Sequence, residues 1–167
     1  MDFIIQNHLY ILGGIICLGL LIYVIRRGTR MAYYALDALL TQSELRFYQT
    51  LKQSVPDNAA IMMKVRMADI INCDDKDWHR GWGPKISAKH IDFVLIDPIS
   101  TAVLLAIELD DSTHKTHGKR IERDVFVNKA FAVSKVPLLR IPVQKQYNRE
   151  ELSTLILQSI GSDKRQI

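Results

Sequence analysis

With 167 residues the chain has room for one domain with a real core and an appendage. Its two cysteines, Cys17 and Cys73, lie far apart and form no CxxC pair. That excludes a disulfide framework and a cysteine metal site, and it fits a reducing compartment. Lys and Arg number 22 against 18 Asp and Glu, an excess that permits contact with nucleic acid or an anionic membrane without arguing for either.

The basic charges begin late, since residues 1–25 hold no Lys or Arg and a single acid, Asp2. Residues 9–25, LYILGGIICLGLLIYVI, are uncharged and mostly apolar. At about 1.5 Å per residue such a helix nearly spans a hydrocarbon core of about 30 Å, so residues 1–28 are predicted to be an N-terminal transmembrane anchor. Gly13, Gly14 and Gly19, with Tyr10 and Tyr23 near the ends, suit lipid better than a buried core helix. A signal peptide is disfavoured, because MDFIIQNH carries no positive charge and no small-residue cleavage site follows the run. Arg26, Arg27 and Arg30 come directly after it, and basic flanks stay in the cytoplasm. The expected topology is single-pass, with the N-terminus outside and the rest of the chain cytoplasmic.

Residues 29–40 are helix-compatible and are expected to form a juxtamembrane connector, leaving 41–167 as the domain proper. In LTQSELRFYQTLKQSV, Leu40, Leu45, Tyr48 and Leu51 recur at helical spacing. Thr41 and Glu44 form a capping box at the helix start, a structural occupation for Glu44 before any functional one. Residues 60–67 predict a strand with Lys64 and Arg66 on one face. Residues 70–83 have the polar, Gly-rich composition of a long loop, in which Trp78 and Trp82 pin the loop to the domain, stack on bases or sit against the membrane surface.

Residues 89–114, KHIDFVLIDPISTAVLLAIELDDSTH, are two apolar runs joined by an Asp-Pro turn that involves Asp97, a pattern that predicts a β-hairpin. Asp92 lies within the first run, and Glu108 and Asp110 end the second. A carboxylate buried in a strand must be paired, desolvated or bound to a cation. Side chains alternate across a strand, so a hairpin centred near Ser100 sets Asp92 directly opposite Glu108, with side chains starting about 5 Å apart. A one-residue slip would send the two acids to opposite faces. The connection must therefore have an odd number of residues or contain a bulge.

Residues 118–134 predict a helix, with Ile121, Val125, Phe126, Ala130 and Val133 as its apolar positions. Lys119, Arg120 and Arg123 at its start read as a solvated face or as phosphate contacts beside the acids. Residues 137–143, PLLRIPV, predict a further strand, and residues 149–160 a C-terminal helix. No internal repeat, GxGxxG or Walker loop is present. His90, His114 and His117 lack a zinc-ligand spacing. Asp111 reads as a turn or cap residue.

The order helix, strand, acid-bearing hairpin, helix, strand is an α/β order. Together with D-x15-E-x-D it resembles the PD-(D/E)XK, or restriction-endonuclease-like, superfamily. More closely, T-x-x-E at Thr41 to Glu44, KHIDFVLID, AIELDDSTH and Arg123-Asp124 resemble a bacterial domain of unknown function similar to very-short-patch-repair endonucleases, over residues 39–143. The resemblance implies a mixed sheet flanked by helices, with Asp92, Glu108 and Asp110 holding Mg²⁺ or Mn²⁺. It also implies that His114 acts as general base or leaving-group acid and that Glu44 is an additional acid. Asp110 departs from the pattern, standing where the superfamily has the lysine that polarises the attacking water.

Two functional expectations follow. One is a membrane-tethered, divalent-metal-dependent nuclease acting on DNA at the cytoplasmic face. The other is a catalytically inactive nuclease-fold module that binds nucleic acid or a protein partner.

Overall fold

A computed structural model of the protein describes residues 2–28, 33–110 and 118–163. The chain divides into two compact units, residues 1–39 and 40–167. The first contains helix α1 (Asp2–Gly28), which ends on Arg26 and Arg27. Its described side chains, at position 8 and over 11–27, are exposed, including Leu18, Leu20 and Ile22. Among the described residues no helix is long and apolar enough to cross a membrane, so the expected span is not seen there; the run that argues for it starts at Leu9, ahead of the described stretch of side chains. Residues 33–41 contain no helix, in contrast to the helical connector expected over 29–40.

The second unit is a mixed α/β domain. Its elements are α2 (Gln42–Ser54), β1 (Ala60–Arg66), α3 (Asp75–His79), α4 (Trp82–Ser87), β2 (His90–Ile96), β3 (Val103–Asp110), α5 (Gly118–Ser134), β4 (Leu138–Pro142) and α6 (Arg149–Asp163). The four strands form one sheet in the order β1-β2-β3-β4. The first three run antiparallel, and β4 returns parallel to β3 after the crossover through α5.

Helices cover both faces. On one, Phe47 and Leu51 of α2 and Leu152 and Ile156 of α6 pack against Phe93, Leu95, Leu105 and Ile107. On the other, Val127 and Phe131 of α5 and Ile86 of α4 pack against Val94 and Ala106. The buried apolar positions of α2 are Phe47 and Leu51, one turn apart, while Leu45 of the expected stripe is exposed. In α5 the buried pair is likewise Val127 and Phe131, with Val125 and Val133 exposed.

The segment expected to be a long loop contains two short helices. Asp74 caps α3 by accepting a hydrogen bond from the Asp77 amide. Gly81 then turns the chain into α4 at φ 94°, a conformation that a residue with a Cβ rarely adopts. A Cβ at Gly83 would run into the Trp78 ring. Trp78 is thus the pin that holds α3 against α4.

Candidate functional site

The hairpin fixes the site. Phe93 pairs with Ile107, Val94 with Ala106 and Leu95 with Leu105, and one further step in that register sets Asp92 opposite Glu108. The required irregularity is a bulge: Ile96 pairs with Val103, leaving Leu104 as the additional residue on β3. The turn is closed by Asp97, whose Oδ1 accepts from the Ile99 and Ser100 amides at 2.9 and 2.7 Å.

At the open end of the hairpin, Asp92 substitutes for a backbone partner. Its Oδ2 accepts from the Leu109 amide at 3.0 Å, and its Oδ1 takes a hydrogen bond from Lys64 Nζ at 3.1 Å. Lys64 Nζ also donates to Glu44 Oε1 at 2.6 Å. Glu44 arrives from the first turn of α2, where the capping box forms as expected: its Oε2 accepts from the Thr41 amide. The structural and the site-facing roles of Glu44 therefore coexist, one oxygen for each. Burial tends to raise the Glu44 pKa, but the Lys64 and Thr41 hydrogen bonds outweigh it and hold the carboxyl below its ordinary range. Burial likewise draws Lys64 down, and Glu44 and Asp92 more than reverse this.

Lys64 has φ 54° in the middle of a strand, a strained value for a non-glycine residue. The two cores change over at this point. Met63 and Phe93 pack on the α2 side, whereas their neighbours Val65 and Ile91 pack on the α5 side. The twist turns Lys64 toward the helix that carries Glu44.

Glu108 is 7% exposed, and its Oε1 is buried with no hydrogen-bond partner. Burial, reinforced by the charge of Asp92, pushes its pKa up to about 7, against the opposing pull of Arg123 and Arg140. On β4, Arg140 pairs in register with Glu108. Its guanidinium bonds Asp110 at 2.6 Å and Asn128 at 2.8 Å, with Asp124 at 3.5 Å, while its Nη2 is buried without a partner. Asp110, expected to face a metal, is thus engaged by an arginine.

Glu44, Asp92, Glu108, Asp110, Arg123 and Asp124 surround one cavity of about 240 Å³. Among the described residues no group of three or more His, Cys, Asp or Glu side chains is placed to hold a metal ion. The donor chemistry still suits a hard cation. Asp92 and Glu108 offer oxygens at adjacent positions, Glu108 Oε1 has no other partner, and Mg²⁺ needs only one or two carboxylates beside water and substrate oxygens. His114, like Asp111 and His117, lies outside the described residues. His90 is exposed and lines a neighbouring cavity with Asp92, Lys64, Lys89 and Arg123.

Sequence reasoning missed Lys64 and Arg140 as members of the site. A lysine between apolar neighbours in the middle of a strand was the available signal for Lys64. Arg140 offered a similar one in PLLRIPV.

Residues 36–160 match the model of a family described as a protein of unknown function, DUF2726. No curated protein and no solved structure matches the chain.

Proposed function

Since the chain belongs to the DUF2726 family, whose description assigns no activity, we propose from the chemistry of the site that its α/β domain is a metal-dependent nuclease of restriction-endonuclease-like ancestry, acting on DNA. The observation that carries this reading is the buried, unpartnered Glu108 oxygen opposite Asp92. A carboxylate in that position is costly unless it is protonated or bound to a cation. Asp92 and Glu108 would hold Mg²⁺ or Mn²⁺, which when bound supplies an activated water and neutralises charge on a phosphodiester.

The chain's own groups supply the rest. Lys64 brings a fixed ammonium to within 3.1 Å of Asp92, which restores in space the lysine that Asp110 displaces in sequence. Arg123 lines the same cavity and is placed to take a phosphate oxygen. Arg140 holds Asp110 and offsets part of the negative charge that this acid adds beside Glu108.

The test is cleavage of plasmid DNA by the full chain with Mg²⁺ or Mn²⁺ and with EDTA. Asp92→Asn should lower the rate at least roughly a hundredfold, as expected when several kcal/mol of charge stabilisation are removed. Cleavage that persists in EDTA, or in the variant, rules the reading out.

The inactive-module reading draws on the same ammonium: Lys64 already bridges Asp92 and Glu44, as a structural counter-ion would. It predicts DNA binding without cleavage in the same assay.

We further propose that α1 tethers the domain to the cytoplasmic face of a membrane. The support is the uncharged run from Leu9 to Ile25 with Arg26, Arg27 and Arg30 behind it. A reporter fused after Ile167 should be active only in the cytoplasm, and activity restricted to the opposite side would overturn the assignment.

A further inference from the structure

Beside the carboxylate cavity, Lys85 of α4, Lys89 just after it and Arg123 of α5 form a group of cations. Lys85 Nζ lies 4.6 Å from the centroid of the Trp82 ring, and Lys89 Nζ lies 4.7 Å from that of Phe126. The two rings are parallel to within 5° and 5.8 Å apart. Aromatic faces attract ammonium groups and hold them in place, so two normally mobile lysines are fixed side by side. Lys89 also donates to the Lys85 carbonyl at 3.0 Å. Among the described residues, neither lysine nor Arg123 makes an ion pair.

Within this group the like charges repel one another. Burial, then the charges of Arg123 and Lys85, hold Lys89 below its ordinary pKa. The repulsion is relieved by an anion. Lys89 and Arg123 line a cavity of about 530 Å³ together with Lys64, His90 and the acids Glu44 and Asp92. Arg123 also belongs to the cavity around Glu108. The cations thus form a continuous path that ends at the carboxylates.

We propose that Lys85, Lys89 and Arg123 form a strip that binds successive phosphates of a nucleic-acid strand and leads it to the carboxylate cavity. The direction of the path rests on the hydrolytic reading of that cavity; the binding does not. A polyanionic strand fits this path better than a lipid surface, because Lys89 and Arg123 line a cavity rather than a flat face. Phosphate contacts of this kind position a strand without reading its sequence.

The test is binding of a short labelled DNA, single-stranded and duplex, to the full chain in EDTA across a salt series, so that cleavage plays no part. Each neutralised phosphate contributes about 0.9 to the slope of log K against log salt on duplex DNA. Lys85→Gln/Lys89→Gln should therefore flatten the slope by about 1.8 and weaken binding roughly tenfold to hundredfold near 0.1 M salt. The single variants should each carry about half of the slope change, so they decide the matter if the double variant does not fold. Lys52→Gln/Lys145→Gln removes the same charge elsewhere and should leave the slope nearly unchanged.

An unaltered slope in the strip variants, or an equal loss in the control pair, overturns the proposal. So does selective loss of binding to phosphatidylglycerol vesicles with DNA binding intact, which would make the strip a membrane contact. If wild type binds DNA through the strip but never cleaves it with metal, the hydrolytic reading fails and the strip stands.

Discussion

Lys64→Met is expected to destabilise the α/β domain by about 2 to 3 kcal/mol and to abolish cleavage. The Glu44 and Asp92 side chains are 13% and 18% exposed, and Lys64, at 27%, is the cation that joins them. Removing one partner of a buried pair costs about 3 to 5 kcal/mol, reduced here because the ammonium is partly solvated. Methionine keeps the length of the side chain and the strained backbone, so the loss reports on charge. Lys64 is held above its ordinary 10.5, so its contribution is complete below that value and is lost as pH rises through the folded pKa. Glu44 is held below its ordinary 4.5, so its contribution is present above that value and is lost as pH falls through the folded pKa. The difference between wild type and variant, read from thermal unfolding, should be flat between these limits and close at both ends. A variant as stable as wild type would mean that the ion pairs are decorative. Mn²⁺ adds a second comparison. If Lys64 stands in for a metal, the variant should gain more from Mn²⁺ than wild type; if it works beside one, the gain should be no larger.

Which parts of this site could be read in advance follows from the range over which each contact is specified. The position of Asp92 opposite Glu108 depends only on strand alternation and one turn, both of which lie within residues 89–114. The bulge at Leu104 is the irregularity that this geometry demanded. Lys64 reaches Asp92 only because β1 is the neighbour of β2 and because the strand twists sharply at φ 54°. Nothing local to residues 60–67 encodes either fact. Arg140 comes beside Glu108 through the parallel return after α5, a pairing that periodicity does not reveal. Helices α3 and α4 were hidden for a different reason. Five or six residues are too few for a helical period, so Asp74 as a cap and Gly81 as a hinge looked like loop composition. In α2, apolar residues occupy more than one stripe, and the sheet selected the one containing Phe47.

Glu108→Gln should have the opposite effect on stability, raising that of the metal-free domain at pH 8 by roughly 3 kcal/mol, or about 6 to 12 °C in midpoint. The native state holds the Glu108 proton up to about pH 7, whereas the unfolded chain releases it near 4.5. Between those values the native state binds more protons than the unfolded one, so wild-type stability falls as pH rises. Glutamine has no proton to lose. The two proteins should therefore match below about pH 4.5, diverge through the interval, and keep a constant gap above pH 7. Divalent metal should close most of this gap. An ion bound only by the native state adds about 2.7 kcal/mol at a hundredfold excess over its dissociation constant, and it displaces the proton that burial favours. Excess Mn²⁺ at pH 8 should thus raise the wild-type midpoint and leave the variant nearly unchanged, and the wild-type gain should fade as pH falls below 7. Parallel pH curves for the two proteins would show that Glu108 is not a buried charge in the native state. Equal stabilisation by Mn²⁺ would remove it from the metal's ligands, and with it the observation on which the nuclease reading rests.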